Sequence, residues 1–321
     1  MRILLTCWLF FLPLSSYCWG FYGHGKINYY AVFLLPPELL DFYKSHLDYL
    51  VKHATDPDMR RYAVAEEGAR HFIDIDHYGE YPFDSLPRKW DEAVCDYSED
   101  TLQRYGIVPW HVQRMEYRLT KAFMEKNLSA ILRNSAELGH YVADAHVPLH
   151  ASSNHNGQLT GQQGIHGFWE SRVPELLAEK QFLFWVGKAN YIPDVADFIW
   201  QRVLESAAAV DTVLRTEKYL NNITPADKKY ATELRKGIWI KQYSTEYTIA
   251  YNHLLNGMIE RRMRASIFAV ASLWYTAWIN AGQPNLKNIN GQEISPSDQT
   301  EWNALNKAWR WGSKMLGQSC D

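Results

Sequence analysis

The chain has 321 residues, 47% of them hydrophobic, and a formal net charge of −3, which suits one large domain with a real core. Basic and acidic residues nearly balance, 33 against 36, and no basic stripe runs along the sequence. That excludes a protein that grips a long nucleic acid through its phosphates, so no stable nucleic-acid complex is expected.

Residues 1–18 read as a secretory signal, with Arg2 as the positive charge, an apolar run over 3–14, and Ser16 and Cys18 at the small-residue positions before Trp19. The run is shorter than the about 20 residues a bilayer span needs, so no membrane span is expected. Tyr17 ahead of Cys18 argues against a lipid-anchored cysteine. The expected product is a secreted or periplasmic chain of 19–321, a monomer beginning at Trp19. Its new α-amine, with a pKa of about 7.7–8.0, can lose its proton to a metal ion and chelate it together with the Trp19 carbonyl. His24 follows five residues on.

Apolar periodicity predicts helices around 24–34 and 37–53, split at Pro36-Pro37. Others follow at about 109–125, 127–146, 166–180 and 194–217, with two more near 226–258 and 259–281. A loop from Gly282 to Ser297 precedes a last helix over 298–316. The fold class is all-α, a single-domain bundle of about eight to ten helices, with no strand alternation. The irregular stretches 74–98 and 151–165 flank the ligand-type residues and are expected to shape a cleft. Trp274, Tyr275 and Trp278, at helical spacing, are expected in the core. Cys7 and Cys18 leave with the signal; Cys95 and Cys320 then either pair or stay free. Sequons stand at Asn127 and Asn222.

Ligand chemistry concentrates in His140-x3-Asp144-x5-His150 and His166-x3-Glu170. Residues four apart on a helix share a face, with side chains roughly 5–6 Å apart, so each His/acid pair can hold one metal ion. Pro148 restricts Val147 and ends the first helix there, which lets His150 turn back towards the site. Imidazole and carboxylate are zinc ligands, and three of them with a position left for water is the catalytic arrangement. Upstream, His24, Asp56 and His71 add donors.

The ordered set of Trp19, His24, an acid near Asp56, the run His71-Phe72-Ile73-Asp74, and the two downstream motifs resembles the bacterial zinc-dependent phospholipases C and the fungal and plant single-strand nucleases. The resemblance covers Trp19 to Glu170 and implies an all-α fold with a trinuclear zinc cleft. One zinc would use Asp56, His71, His140 and Asp144. A second would use His150, His166 and Glu170, and a third the Trp19 amine and carbonyl, His24 and a bridging Asp144. Asp58 competes with Asp56 for the first aspartate; the Ala-x-Asp pattern and the distance to His71 favour Asp56. Arg60 either orients a ligand carboxylate or is a solvated helix charge. In the nuclease branch the pair matching Phe72 and Asp74 stacks on a base and accepts from its edge, and the phospholipase branch has the same pair, so the substrate stays open. His46, His53, His77, His111, His146, His155 and His253 have no place in the pattern; His146 and His155 lie nearest to the ligands in sequence.

Three zinc ions would carry +6 against −3 from Asp56, Asp144 and Glu170, which attracts phosphate. Two zincs sharing a water would lower its pKa towards about 7, giving a hydroxide for in-line attack on phosphorus, and Asp56 would orient that hydroxide or take its proton. The expected activity is phosphodiester hydrolysis on single-stranded nucleic acid or a phospholipid head group. Two other classes stay open: a secreted zinc-binding protein without turnover, and a helical carbohydrate-active enzyme, which needs two carboxylates flanking a sugar.

Overall fold

A computed structural model describes residues 20–83, 85–235, 237–310 and 315; Trp19 and Cys320 lie outside them. The chain begins with α1 (Gly20–Val32), α2 (Pro37–Ser45), α3 (Leu47–Lys52) and α4 (Asp56–Arg60). Next come α5 (Trp90–Tyr97), α6 (Glu99–Tyr105), α7 (Val108–Glu125) and α8 (Leu128–Asp144). A helical stretch follows, made of α9 (Ile165–Gly167), a π-helical turn (Phe168–Arg172) and α10 (Val173–Gln181). Then α11 (Val195–Ile223), α12 (Ala226–Lys229), β1 (Tyr230–Arg235), β2 (Ile238–Tyr243), α13 (Thr245–Leu254), α14 (Met258–Asn280) and α15 (Pro296–Arg310) complete the described chain. The fold is mainly α. Among the described residues nine helices reach nine residues or more, and the others are short turns between them.

α8 is the central rod, against which α1, α3, α7 and α14 pack. Its start is set by Asn127, whose side-chain oxygen accepts the Ala130 N–H at 3.1 Å and satisfies one of the free donors of the first turn. Its end is set by Val147, extended at φ −81° and ψ 120° ahead of Pro148, as the pre-proline clash demands. Between them Leu128, Ile131, Leu132, Ala136 and Leu138 are buried. Trp274 is fully buried, stacks on Tyr43 at 4.9 Å and donates its Nε1–H to the Ser135 carbonyl at 3.0 Å; Trp278 is buried too, and Tyr275 packs against the same core.

One close approach fixes α1 against α8. Asn28, on α1, donates from Nδ2 to the carbonyls of Leu50 and Ala136 at 3.1 and 3.2 Å. Its Oδ1 would lie 1.9 Å from a Cβ at position 139, so Gly139 is there because no larger residue fits. Four residues apart from Asn28 and on the same face of α1 sits His24, and next to Gly139 sits His140. The two imidazoles accordingly stack at 3.9 Å.

Three segments differ from expectation. The predicted helix over 226–258 contains an antiparallel hairpin, β1 with β2, in which Tyr230 faces Tyr243 and Arg235 faces Ile238. Tyr230, Thr232, Ile238, Trp239, Ile240 and Tyr243 are β-formers, and Gly237 at φ 82° makes the reversal. The stretch 74–98 is partly ordered into α5, and the helix predicted over 37–53 is interrupted at His46. Cys95 is exposed and unpaired among the described residues. No described helix is long and apolar enough to cross a membrane.

Candidate metal centre

Two clusters of buried histidine and carboxylate lie side by side at the carboxyl end of α8. In the first, Asp144 Oδ2 stands 2.9 Å from His71 Nδ1 and 3.2 Å from His140 Nε2. Those two nitrogens are 3.0 Å apart. The other oxygen of Asp144, Oδ1, faces His24 Nε2 at 3.5 Å. In the second cluster Glu170 Oε2 lies 3.1 Å from His166 Nε2 and 3.5 Å from His150 Nε2. Both are sets of three converging donors that can hold a metal ion, His71 with His140 and Asp144, and His150 with His166 and Glu170; His24, Asp58 and His140 form a further set.

The carboxylate that completes the first cluster is Asp58, not Asp56. Asp58 Oδ1 lies 3.7 Å from both His71 Nδ1 and His140 Nε2. Asp56 turns away and accepts from His53 Nδ1 at 2.7 Å. The reason is helical geometry: at about 100° per residue, positions two apart on α4 point roughly 200° from each other, so only one can face α8. The expectation that Asp56 is a ligand and handles the proton is corrected on this ground.

Three of the imidazoles are oriented from behind by backbone carbonyls. His140 Nδ1 meets the Ala54 carbonyl at 2.8 Å, His150 Nδ1 the His71 carbonyl at 2.6 Å, and His166 Nδ1 the His155 carbonyl at 3.0 Å. A carbonyl only accepts, so these Nδ1 atoms carry the protons and the Nε2 atoms present lone pairs to the clusters. His71 is reversed. Its Nε2 faces Glu67 Oε1 at 3.5 Å, leaving Nδ1 for the cluster.

Glu67, fully buried, was missed from the sequence. It collects Arg70 Nη1 at 2.5 Å, Arg60 Nη1 at 3.4 Å and a short bond from the Tyr141 hydroxyl. Burial opposes its ionisation, but His71, Arg60 and Arg70 beside it hold its carboxyl well below the usual range. The signal was available, since Glu67 stands four residues before His71, the same spacing as the ligand pairs. Arg60 is buried, so it is not a solvated charge, and it acts on Glu67 and Glu137 rather than on a ligand carboxylate.

The clusters have the electrostatic character of a metal site. His24 is buried and pushed well below its ordinary pKa by burial and by His140. Burial opposes ionisation of Asp144, yet His140 and His150 hold its carboxyl well below the usual range. Both ring nitrogens of His24, Oδ1 of Asp58, Oδ1 of Asp144 and both oxygens of Glu170 are buried with no hydrogen-bond partner. Buried polar atoms without partners are costly and uncommon, and a cation among them satisfies them together.

His166 and Glu170 sit where the helix changes from α9 into the π turn, a widening common at functional sites. Phe72 and Asp74 follow His71 in an irregular strap, tied by Ile73 N–H to the His150 carbonyl at 2.8 Å and by Asp74 N–H to the Tyr105 carbonyl at 2.7 Å. Both side chains are buried, and Phe72 packs on Gly106. His146 is buried away from the clusters, donating from Nδ1 to the Val142 carbonyl, whereas His155 supports His166 through its backbone. The expected Trp19 ligand lies outside the described residues. Comparison of the chain with known protein families and with curated proteins finds no match.

Proposed function

We propose that this chain is a zinc-dependent phosphodiesterase. The observation that carries the reading is the set of converging, partnerless donor atoms on His24, Asp58, Asp144 and Glu170, joined by histidines whose lone pairs are aimed at them. Imidazole and carboxylate without cysteine favour zinc in an open, catalytic arrangement over a closed structural one. When bound, the ions supply Lewis acidity, a water acidified towards a pKa of about 7, and net positive charge for a phosphate diester.

The chain's own residues do the rest. Asp144 spans the first cluster and His24 with its two oxygens, so it would be the residue that serves two ions. Asp58, at the edge of the first cluster, takes the role of orienting the nucleophilic water and receiving its proton. Glu67 and the carbonyls of Ala54, His71 and His155 hold the rings in place, so the donors need no reorganisation when substrate arrives.

The test is an activity screen of the zinc-loaded protein on single-stranded DNA, RNA, phosphatidylcholine and bis-p-nitrophenyl phosphate, with and without a chelator. Hydrolysis that stops on chelation and returns with zinc is the expected result. Zinc retained at full occupancy with no hydrolysis of any of the four would make this a metal-binding protein without turnover.

A further inference from the structure

We infer that the β1–β2 hairpin docks the protein onto an anionic phospholipid bilayer. Leu234 and Trp239 face each other across the ladder on one face of the ribbon, and Ile238, opposite Arg235, stands next to the turn on the other face. All three are exposed, at 57%, 69% and 64%. Single exposed apolar side chains are ordinary, but three gathered around the turn end of one hairpin mark an interaction surface. Along β1 the exposed residues Tyr230, Thr232 and Leu234 alternate with the half-buried Ala231, Glu233 and Arg235, so the hairpin has an outer and an inner face.

Charge identifies the occupant. In a chain whose overall charge is −3, Lys228 and Lys241 are exposed on the hairpin and its approach, while Lys229 and Arg235 are neutralised by Glu217 and Glu175. Lys241 extends over the Tyr230 ring, 4.6 Å from its centroid. A tryptophan with branched aliphatics at the turn end and the exposed Lys241 two residues further along the same strand match the boundary of an anionic bilayer: Trp sits at head-group level, the aliphatics enter the acyl region, and the cation meets lipid phosphate. A second copy of this chain is a poor fit, because a two-fold contact would bring the same cations together. Three apolar side chains also fall far short of the roughly 20–30 residues a side that a stable protein interface uses.

The inner face, and Tyr243 at the base, tie the hairpin to the metal centre. Glu233 pairs with Arg172 at 2.6 Å, Arg235 pairs with Glu175 at 2.8 Å, and Tyr243 stacks on Phe168 at 3.8 Å. Phe168 and Arg172 bound the π turn that carries Glu170, so docking seats the tip on lipid while its base grips that ligand segment. Lipid docking stands whether or not the centre hydrolyses phosphoesters.

Sedimentation with vesicles tests it without any turnover. The full mature chain should pellet with equimolar phosphatidylcholine and phosphatidylglycerol vesicles and much less with phosphatidylcholine alone. Combining Leu234→Ser with Trp239→Ser should lower the partition coefficient by about tenfold or more on the anionic vesicles, with circular dichroism and the bis-p-nitrophenyl phosphate rate unchanged. Lys241→Glu should weaken binding to the anionic vesicles, as added salt should. Wild-type protein that stays in the supernatant with both vesicles, or a double variant that pellets like wild type, overturns the proposal. So does sedimentation velocity showing a wild-type dimer that the double variant abolishes, which would make the tip a self-association surface.

Discussion

Asp56 and Asp58 are both buried, yet they have different neighbours and should fail differently. Asp58→Asn weakens a donor 3.7 Å from both His71 and His140, so it should lower metal occupancy and the hydrolytic rate together. Asp56→Asn disturbs only the bond to His53 and should leave metal content intact. Elemental analysis of both variants, purified without chelators, decides the matter; equal metal loss in the two would remove Asp58 from the ligand set. Glu67→Gln acts one step further out. It leaves His71 in place but loses the charge behind it, and outer partners of this kind typically change metal affinity by about 10–100-fold. Competition with a chromophoric chelator measures that. Unchanged affinity in a folded variant would mean that Glu67 serves only Arg60 and Arg70.

Elements meet here through small residues at chosen contacts. Gly139→Ala would place a methyl group 1.9 Å from Asn28 Oδ1, forcing α1 from α8 and separating His24 from His140. Overpacking of this sort costs typically about 1–3 kcal/mol, read as a lower urea midpoint at unchanged slope. The Asn28→Ala/Gly139→Ala double variant should regain part of that loss, because the clash needs both side chains. Additive losses would show that the approach of α1 to α8 is not the cause. The π turn is a different device, since one short segment carries Glu170 to the cluster and Arg172 to the hairpin.

At the scale of the molecule, the clusters join segments distant in sequence: α1 through His24, α4 through Asp58, α8 through His140 and Asp144, and the π turn through Glu170. A metal bound only by the folded state stabilises it by mass action, by about 2.7 kcal/mol at a concentration 100 times its dissociation constant. Chelation should therefore lower the melting temperature by a few degrees, on the order of 4 °C for each such metal in a chain of this size. Calorimetry with zinc and with chelator measures the difference. Identical melting would show the clusters to be ordinary buried hydrogen-bond networks.

Much of this was legible in the sequence, because the information was local. The i, i+4 spacing of His140 with Asp144 and of His166 with Glu170, the stop ahead of Pro148 and the periodicity of the helices over 109–125, 127–146, 194–217 and 259–281 depend on neighbours along the chain, and each appears in the structure close to where the pattern put it. The hairpin at 230–243 was hidden by its surroundings: a short alternating run between two helical segments carries too few residues for period two to stand out against period 3.6. The choice of Asp58 over Asp56, the burial of Arg60 and the part played by Glu67 were beyond any local pattern. They depend on which face α4 turns towards α8 and on which ring nitrogen of His71 points inward, and both are decided by contacts between segments distant in sequence: Asp58 meets His140 on α8, and Glu67, held by Arg60 and by Tyr141 on α8, faces His71 Nε2.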